Sequence, residues 1–274
     1  MSKFIISGFA DEISNDLSEQ LAVLNELGIK YMEMRNVNGK GLVDHSIEEV
    51  KEIKKQLDAA GVKLSSVGSP IGKIKITDDF EPHFEKFKHT VEIAKLLEAP
   101  YIRMFSFFIP EGEDADQYKD EVLRRWKCFE DYARGTGVVL LHENEKGIYG
   151  DIAERCKVVL DNVDFDVVKG IFDPANFVQC NSETKAGFAL LRDKIVYMHI
   201  KDARNSDNVV VPSGEGDGNV EYILTELANA GYEGFLSLEP HLLTGDIAVC
   251  GKPMFIKAYD ALMKILKKLD VEIA

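Results

Sequence analysis

Four residues of this chain combine the right side chains with the right spacing to do chemistry together: Glu143, Asp173, His199 and Glu239. Each closes a short apolar run. The first follows Val138-Val139-Leu140-Leu141-His142, the second Gly170-Ile171-Phe172, the third Val196-Tyr197-Met198, and the fourth Phe235-Leu236-Ser237-Leu238. Three carboxylates and one imidazole suit a single divalent ion of the hard to borderline class, Mn²⁺, Mg²⁺, Co²⁺ or Zn²⁺. Gathered without a cation, three such acids repel one another, so the cluster and the ion explain each other. One acid at a strand end is an ordinary helix cap; four in succession at equivalent places call for a common cause. The chemistry such a centre supports is polarisation of a carbonyl by the ion. Glu143 and Glu239 would stand on either side of a substrate carbon, one removing a proton and the other returning it through an enediolate.

The elements that must position these residues read as a regular alternation. Apolar, β-branched runs bounded by turn residues are strands buried on both faces. They fall at Phe4–Phe9, Lys30–Arg35, Val62–Gly68, Tyr101–Phe105, Gly137–Glu143, Asp166–Phe172, Ile195–Asp202 and Gly234–Pro240. Between them lie helical patterns. One runs from Ser14 or Asn15 to Gly28 with Leu17, Leu21, Leu24 and Leu27 on one face, and another opens with the capping box Ser46-Ile47-Glu48-Glu49 and stops at Gly61. Further helices are expected over Phe80–Leu97 and Tyr118–Arg134, from near Asp151 and Ser182, and over Val220–Ala230 and Met254–Leu269. Eight strand-then-helix units in 274 residues, with no linker between them and no GxGxxG turn in the first, predict an α/β fold. The expected form is a single (β/α)8 TIM barrel occupying residues 1–274. In such a barrel the four strand ends lie side by side around half the C-terminal mouth, where these folds carry their active sites.

Alternation along each strand then supplies the lining. Glu145 shares the face of Glu143, Lys201 that of His199, and His241 that of Glu239. Arg35 lies on the face of Glu33, and Arg103 between Tyr101 and Phe105. Lys201, Arg35, Arg103, His241 and Glu145 are therefore the expected substrate-binding groups. His142 points the other way and is read as a packing or supporting histidine, while His45, His83 and His89 receive no role. Phe9, Phe105, Phe107 and Phe108 are equally suited to stacking on sugar C–H faces and to core packing, and Trp126 to the core. The loop Gly214-Glu215-Gly216-Asp217-Gly218 sits where many barrels bind phosphate, but its two acids disfavour that ligand.

Composition narrows the partners. A net charge of −14 argues against affinity for nucleic acid or an anionic membrane. No apolar run reaches spanning length, and the N-terminal one is too short for a signal peptide. Cys128, Cys156, Cys180 and Cys250 form no CxxC and read as reduced thiols of a cytoplasmic protein. The expected partner is a small-molecule carbohydrate substrate; assembly into a homo-oligomer is compatible with the sequence.

Over its whole length the chain resembles the xylose isomerase-like barrel superfamily, in particular the sugar phosphate isomerase/epimerase group. The resemblance rests on Leu141-His142-Glu143-Asn144-Glu145, Phe172-Asp173-Pro174-Ala175-Asn176, Met198-His199-Ile200-Lys201-Asp202 and Ser237-Leu238-Glu239-Pro240. It implies that Glu143, Asp173, His199 and Glu239 hold the metal. It also implies a place in carbohydrate metabolism, as an isomerase or epimerase of a sugar, sugar phosphate or related polyhydroxy carbonyl compound. A dehydratase of the inosose type at the same site, or a barrel that binds sugar without turnover, is the alternative. The ketose 3-epimerases of that group carry a histidine three residues after the strand-six aspartate. Here the position is Asn176, which hydrogen-bonds a substrate hydroxyl but cannot act as acid or base near neutral pH. The DNA-cleaving relatives with this barrel need several zinc ions, many histidines and a basic surface, against six histidines and fourteen net negative charges here.

Overall fold

The computed structural model describes residues 2–274. Its eight principal strands are β1 (Ser2–Gly8), β2 (Tyr31–Met34), β3 (Lys63–Val67), β4 (Tyr101–Met104), β5 (Val139–Glu143), β6 (Val168–Phe172), β7 (Ile195–Ile200) and β8 (Glu233–Leu238), all within one sheet. Successive pairs from β2 to β8 run parallel, and β8 pairs in parallel with β1. A further short strand, β9 (Val271–Ile273), pairs with Ser2–Phe4 on the edge of β1 that β8 leaves free. β1 and β2 are in contact and close the barrel without a registered ladder between them. This is the expected (β/α)8 TIM barrel.

Among the described residues nine α-helices surround the strands: α1 (Leu17–Glu26), α2 (Ile47–Ala60), α3 (Glu81–Leu96), α4 (Lys119–Ala133), α5 (Ala153–Asp161), α6 (Pro174–Gln179), α7 (Thr184–Leu191), α8 (Val220–Asn229) and α9 (Ile247–Leu266). The capping box of Ser46 and Glu49 opens α2, and Gly61, at φ 66°, ends it in the left-handed conformation that glycine adopts without strain. Leu17, Leu21 and Leu24 of α1 and Val50, Ile53 and Leu57 of α2 belong to the large core between helices and strands. A second, smaller apolar layer fills the barrel interior towards its N-terminal end, with Leu141, Ile171, Tyr197 and Phe235 meeting at its centre. This layer is the floor beneath the polar mouth.

The differences from the sequence reading include two short antiparallel ribbons, Asn36–Val37 with Lys40–Gly41 and Asp202–Ala203 with Val210–Val211, and three larger elements. α9 starts at Ile247 rather than Met254; Asp246 caps it by accepting from Ala248 N at 3.0 Å, and Pro253 sits inside the helix. α6 is an extra short helix immediately after Asp173, which accepts from Asn176 N at 2.9 Å while Pro174 takes the first position. β9 is too short to announce itself by alternation. No helix among the described residues is long and apolar enough to cross a membrane.

Candidate active site

Strand register brings the chemical residues to one level. Glu143 lies opposite Ile171, two residues before Asp173, and His199 lies opposite Ser237, two before Glu239. With side chains alternating along each strand, this offset turns all four functional groups inward at the C-terminal mouth. One potential ligand atom from each of Glu143, Asp173, His199 and Glu239 lies within 4.8 Å of the others, and all four residues are buried. His199 Nδ1 is the nitrogen that faces the acids, at 2.9 Å from Glu143 Oε1, 3.8 Å from Glu239 Oε2 and 3.9 Å from Asp173 Oδ2.

Cations from neighbouring strands interleave with these acids. Lys201 Nζ bridges Asp173 Oδ2 at 2.8 Å and Glu239 Oε2 at 2.7 Å. Arg103 Nη1 faces both outer acids, 3.5 Å from Glu143 Oε2 and 3.7 Å from Glu239 Oε1. Arg35 Nη1 approaches Glu239 Oε1 at 3.3 Å, while the rest of its guanidinium is taken by Asp11 and Glu12. His241 Nε2 lies 3.4 Å from both Glu239 and Glu12. The rings of Phe9 and Phe105 separate the cations: Arg35 and Arg103 stack on Phe9, and Arg103 and Lys73 on Phe105. Lys73 in turn holds Glu145 at 2.9 Å.

Burial and charge act in opposite senses across the cluster. Burial pushes the Asp173 carboxyl up to about 6, with Lys201 working against it and Glu239 and Glu143 adding to it. For Glu239 burial also favours the neutral acid, but Lys201, His241 and His199 outweigh it and hold the group well below the usual carboxylate range. Burial disfavours the imidazolium of His199, yet Glu143 and Glu33 raise it well above the ordinary value. Asp173 and Glu239, at the ends of strands two apart in the barrel wall, are thus shifted in opposite directions by the same surroundings.

A sequence profile of the xylose isomerase-like TIM barrel family matches residues 21–249. The chain belongs to that family. Solved structures sharing the fold include a D-tagatose 3-epimerase-like protein (17% identity, TM-score 0.77, covering 98% of each chain). Another is the IOLI protein with a bound zinc atom (17% identity, TM-score 0.78, covering 98% of this chain and 99% of that one). A third is the probable 3-DHS dehydratase AsbF of Bacillus anthracis (17% identity, TM-score 0.75, covering 96% and 99%). No curated protein matches the chain in sequence.

In this xylose isomerase-like barrel the acids fit a divalent ion. Glu143 Oε2 and Asp173 Oδ2 are buried acceptors without a hydrogen-bond partner, the latter despite its short approach to Lys201. Buried carboxylate oxygens left unmet are costly unless a cation completes them. Every residue that sequence spacing put at the mouth is there, but their attachments differ. Asn176 is buried, with Nδ2 donating to Asn144 O at 2.9 Å and reaching Glu143 Oε1 at 3.4 Å. Its amide thus ties strand β5 to α6. His142 does point away, its Nε2 lying 3.0 Å from Ser106 Oγ and its ring against Trp126. The glycine-rich loop has no free cradle: the amides of Gly214, Gly216 and Gly218 all donate to Asp202, at 2.9, 3.1 and 2.8 Å.

Two groups escaped sequence reasoning. Asp11 and Glu12, just past β1, anchor Arg35; their signal was a strand running straight into paired acids. Glu33, flanked by Met32 and Met34, is fully buried behind His199. A charged residue inside an apolar strand was its one mark.

Proposed function

We propose that this barrel is a metal-dependent isomerase or epimerase of a sugar or related polyhydroxy carbonyl compound, working by proton transfer at the carbon beside the carbonyl. The observation that carries the proposal is the convergence of Glu143, Asp173, His199 and Glu239 within 4.8 Å, with Glu143 Oε2 buried and without a hydrogen-bond partner. These four residues would hold one divalent ion, Mn²⁺, Mg²⁺, Co²⁺ or Zn²⁺. When bound, the ion supplies Lewis acidity towards the substrate's carbonyl oxygen. Glu143 would take the proton from carbon on the carboxylate oxygen that the ion leaves free, and the electrons of the broken C–H bond move into the enediolate. Glu239 would deliver a proton drawn from solvent, to the neighbouring carbon in an isomerisation or to the opposite face of the same carbon in an epimerisation, and Glu143 would release its own proton to solvent to restore the starting state. Arg103 Nη1, facing both carboxylates, offers a positive charge beside the carbon that changes hands. Lys201, still within reach of Glu239, donates to a substrate oxygen and helps hold the second acid in place. The floor of Leu141, Ile171, Tyr197 and Phe235 keeps water from entering below.

Loss of a hydroxyl from the same enediolate would make the enzyme a dehydratase, as one of the fold neighbours is named. The position of Asn176, tied to Asn144 and Glu143, supports a reaction needing no third acid–base group there. The test is solvent exchange. The metal-supplemented protein is offered a panel of ketoses, aldoses and inososes in D₂O. Deuterium should enter one substrate at the carbon beside its carbonyl, and Glu143→Gln should abolish that entry while circular dichroism stays unchanged. Exchange at the wild-type rate in Glu143→Gln would refute the role given to Glu143. A product lighter by one water would identify the dehydratase instead.

A further inference from the structure

The side of His199 turned away from the acids carries an arrangement that proton transfer does not use. His199 Nε2 lies 3.1 Å from Glu33 Oε2, inside the barrel wall. The same carboxylate oxygen accepts from Tyr197 OH at 2.9 Å. Tyr197 OH is 2.8 Å from Ser65 Oγ, and Ser65 Oγ is 2.6 Å from Ser7 Oγ. Each hydroxyl has one proton. Because Tyr197 gives its own to Glu33, Ser65 must donate to Tyr197, and Ser7 to Ser65. The chain is therefore polarised in one direction, every proton pointing towards Glu33. Four strands, β1, β3, β7 and β2, contribute one residue each.

We infer that Glu33 is the positioning residue for His199. It accepts the Nε2 proton and so fixes the ring with Nδ1 on the face where Glu143, Asp173 and Glu239 converge, the nitrogen that an ion bound there would take in place of its proton. The rings of Phe9 and Tyr197 pack edge-on against the imidazole at centroid distances of 5.2 and 5.9 Å and hold its plane. Two observations separate this role from simpler ones. Glu33 is not a further ligand of the same centre, since its oxygen meets the opposite ring nitrogen and it does not belong to the converging set. Nor is it mainly the counter-ion of Arg103. Arg103 Nε stands 4.0 Å from Glu33 Oε1, and both atoms lack a hydrogen-bond partner, while the other oxygen of Glu33 is engaged by His199 and Tyr197. A histidine ligand whose second nitrogen is held by a carboxylate is fixed in tautomer and orientation, and loss of such a support weakens metal binding roughly ten- to hundredfold.

This inference rests on the metal-site reading, and its test keeps the two apart. In protein labelled with ¹⁵N-histidine, assigned with His199→Gln, wild type should show a protonated, hydrogen-bonded His199 Nε2 with or without added Zn²⁺. Glu33→Ala should lose or strongly shift that resonance. Binding of Zn²⁺ and Mn²⁺, measured by competition with a chromogenic chelator, should weaken at least tenfold in Glu33→Ala. It should weaken less in Glu33→Gln, which keeps an acceptor oxygen. Tyr197→Phe leaves Glu33 in place, serves if the alanine variant fails to fold, and should weaken binding by a smaller factor in the same direction. Wild type that binds neither ion would overturn the metal-site reading, while the resonance still decides the role of Glu33. A folded Glu33→Ala or Tyr197→Phe with an unmoved His199 signal and unchanged ion affinity would overturn the inference.

Discussion

Replacing His83 with glutamine should make the barrel less sensitive to mild acid. His83 lies on α3, and its Nε2 accepts from Gly72 N at 2.7 Å, so the ring must be neutral at that nitrogen. Burial, reinforced by Lys86 and Arg125, lowers its pKa to about 4. An unfolded histidine takes its proton near pH 6.5. The folded value is depressed, so the unfolded chain protonates first, and stability falls as pH drops from about 6.5 towards 4. At pH 7 both states are essentially neutral and the contribution is close to zero. At pH 5 the unfolded residue is almost fully protonated and the folded one about a tenth so, a difference of about 2 kcal/mol against folding. The amide oxygen of glutamine can accept from Gly72 without titrating. The gap in unfolding free energy between wild type and His83→Gln should therefore move by about 2 kcal/mol between pH 7 and pH 5, in favour of the variant. Urea denaturation at the two pH values measures it directly. In thermal unfolding it appears as a relative shift of about 4–8 °C for a chain of this size. Parallel pH profiles for the two proteins would refute the reasoning, since nothing but titration of this ring separates them in that interval. The consequence reaches the mouth, because the segment held by His83 also carries Lys73 over Phe105.

Two further perturbations follow from backbone contacts near the site. Asp202→Asn should cost about 2–4 kcal/mol, because one carboxylate oxygen becomes a donor facing two backbone amides that lose their acceptor; faster hydrogen exchange at Gly214 and Gly216 or at Gly218 and Ala203, with a lower urea midpoint, would register it. Gly72→Ala should cost at least ~2 kcal/mol, since φ is +91° and a Cβ would meet the Phe105 carbonyl oxygen at 2.1 Å, backbone against backbone; an unchanged melting temperature would contradict the close packing of these two loops.

What could be read from the sequence divides along the range of the interactions involved. Glu143, Asp173, His199 and Glu239 were legible because a strand's end and a side chain's facing are local properties, and a parallel barrel converts equal positions on successive strands into proximity. Lys201, His241 and Arg103 followed by the same alternation. The glycine-rich loop illustrates the limit. Its amides do converge on an anion, as its composition suggests, but the anion is Asp202 of the same chain, next to Lys201, and no local pattern distinguishes an internal carboxylate from a ligand. Glu33 marks the limit more sharply. Its partner His199 is 166 residues away and meets it across the barrel rather than along the sheet. Alternation predicts which way Glu33 points, and a carboxylate among methionines announces that something must meet it. What meets it depends on the closure of β2 against β1, the one junction of the barrel that forms without a registered ladder. The surroundings of the His199 ring are thus set by the part of the fold that strand pairing specifies least, through side-chain contacts among Glu33, Tyr197, Ser65 and Ser7.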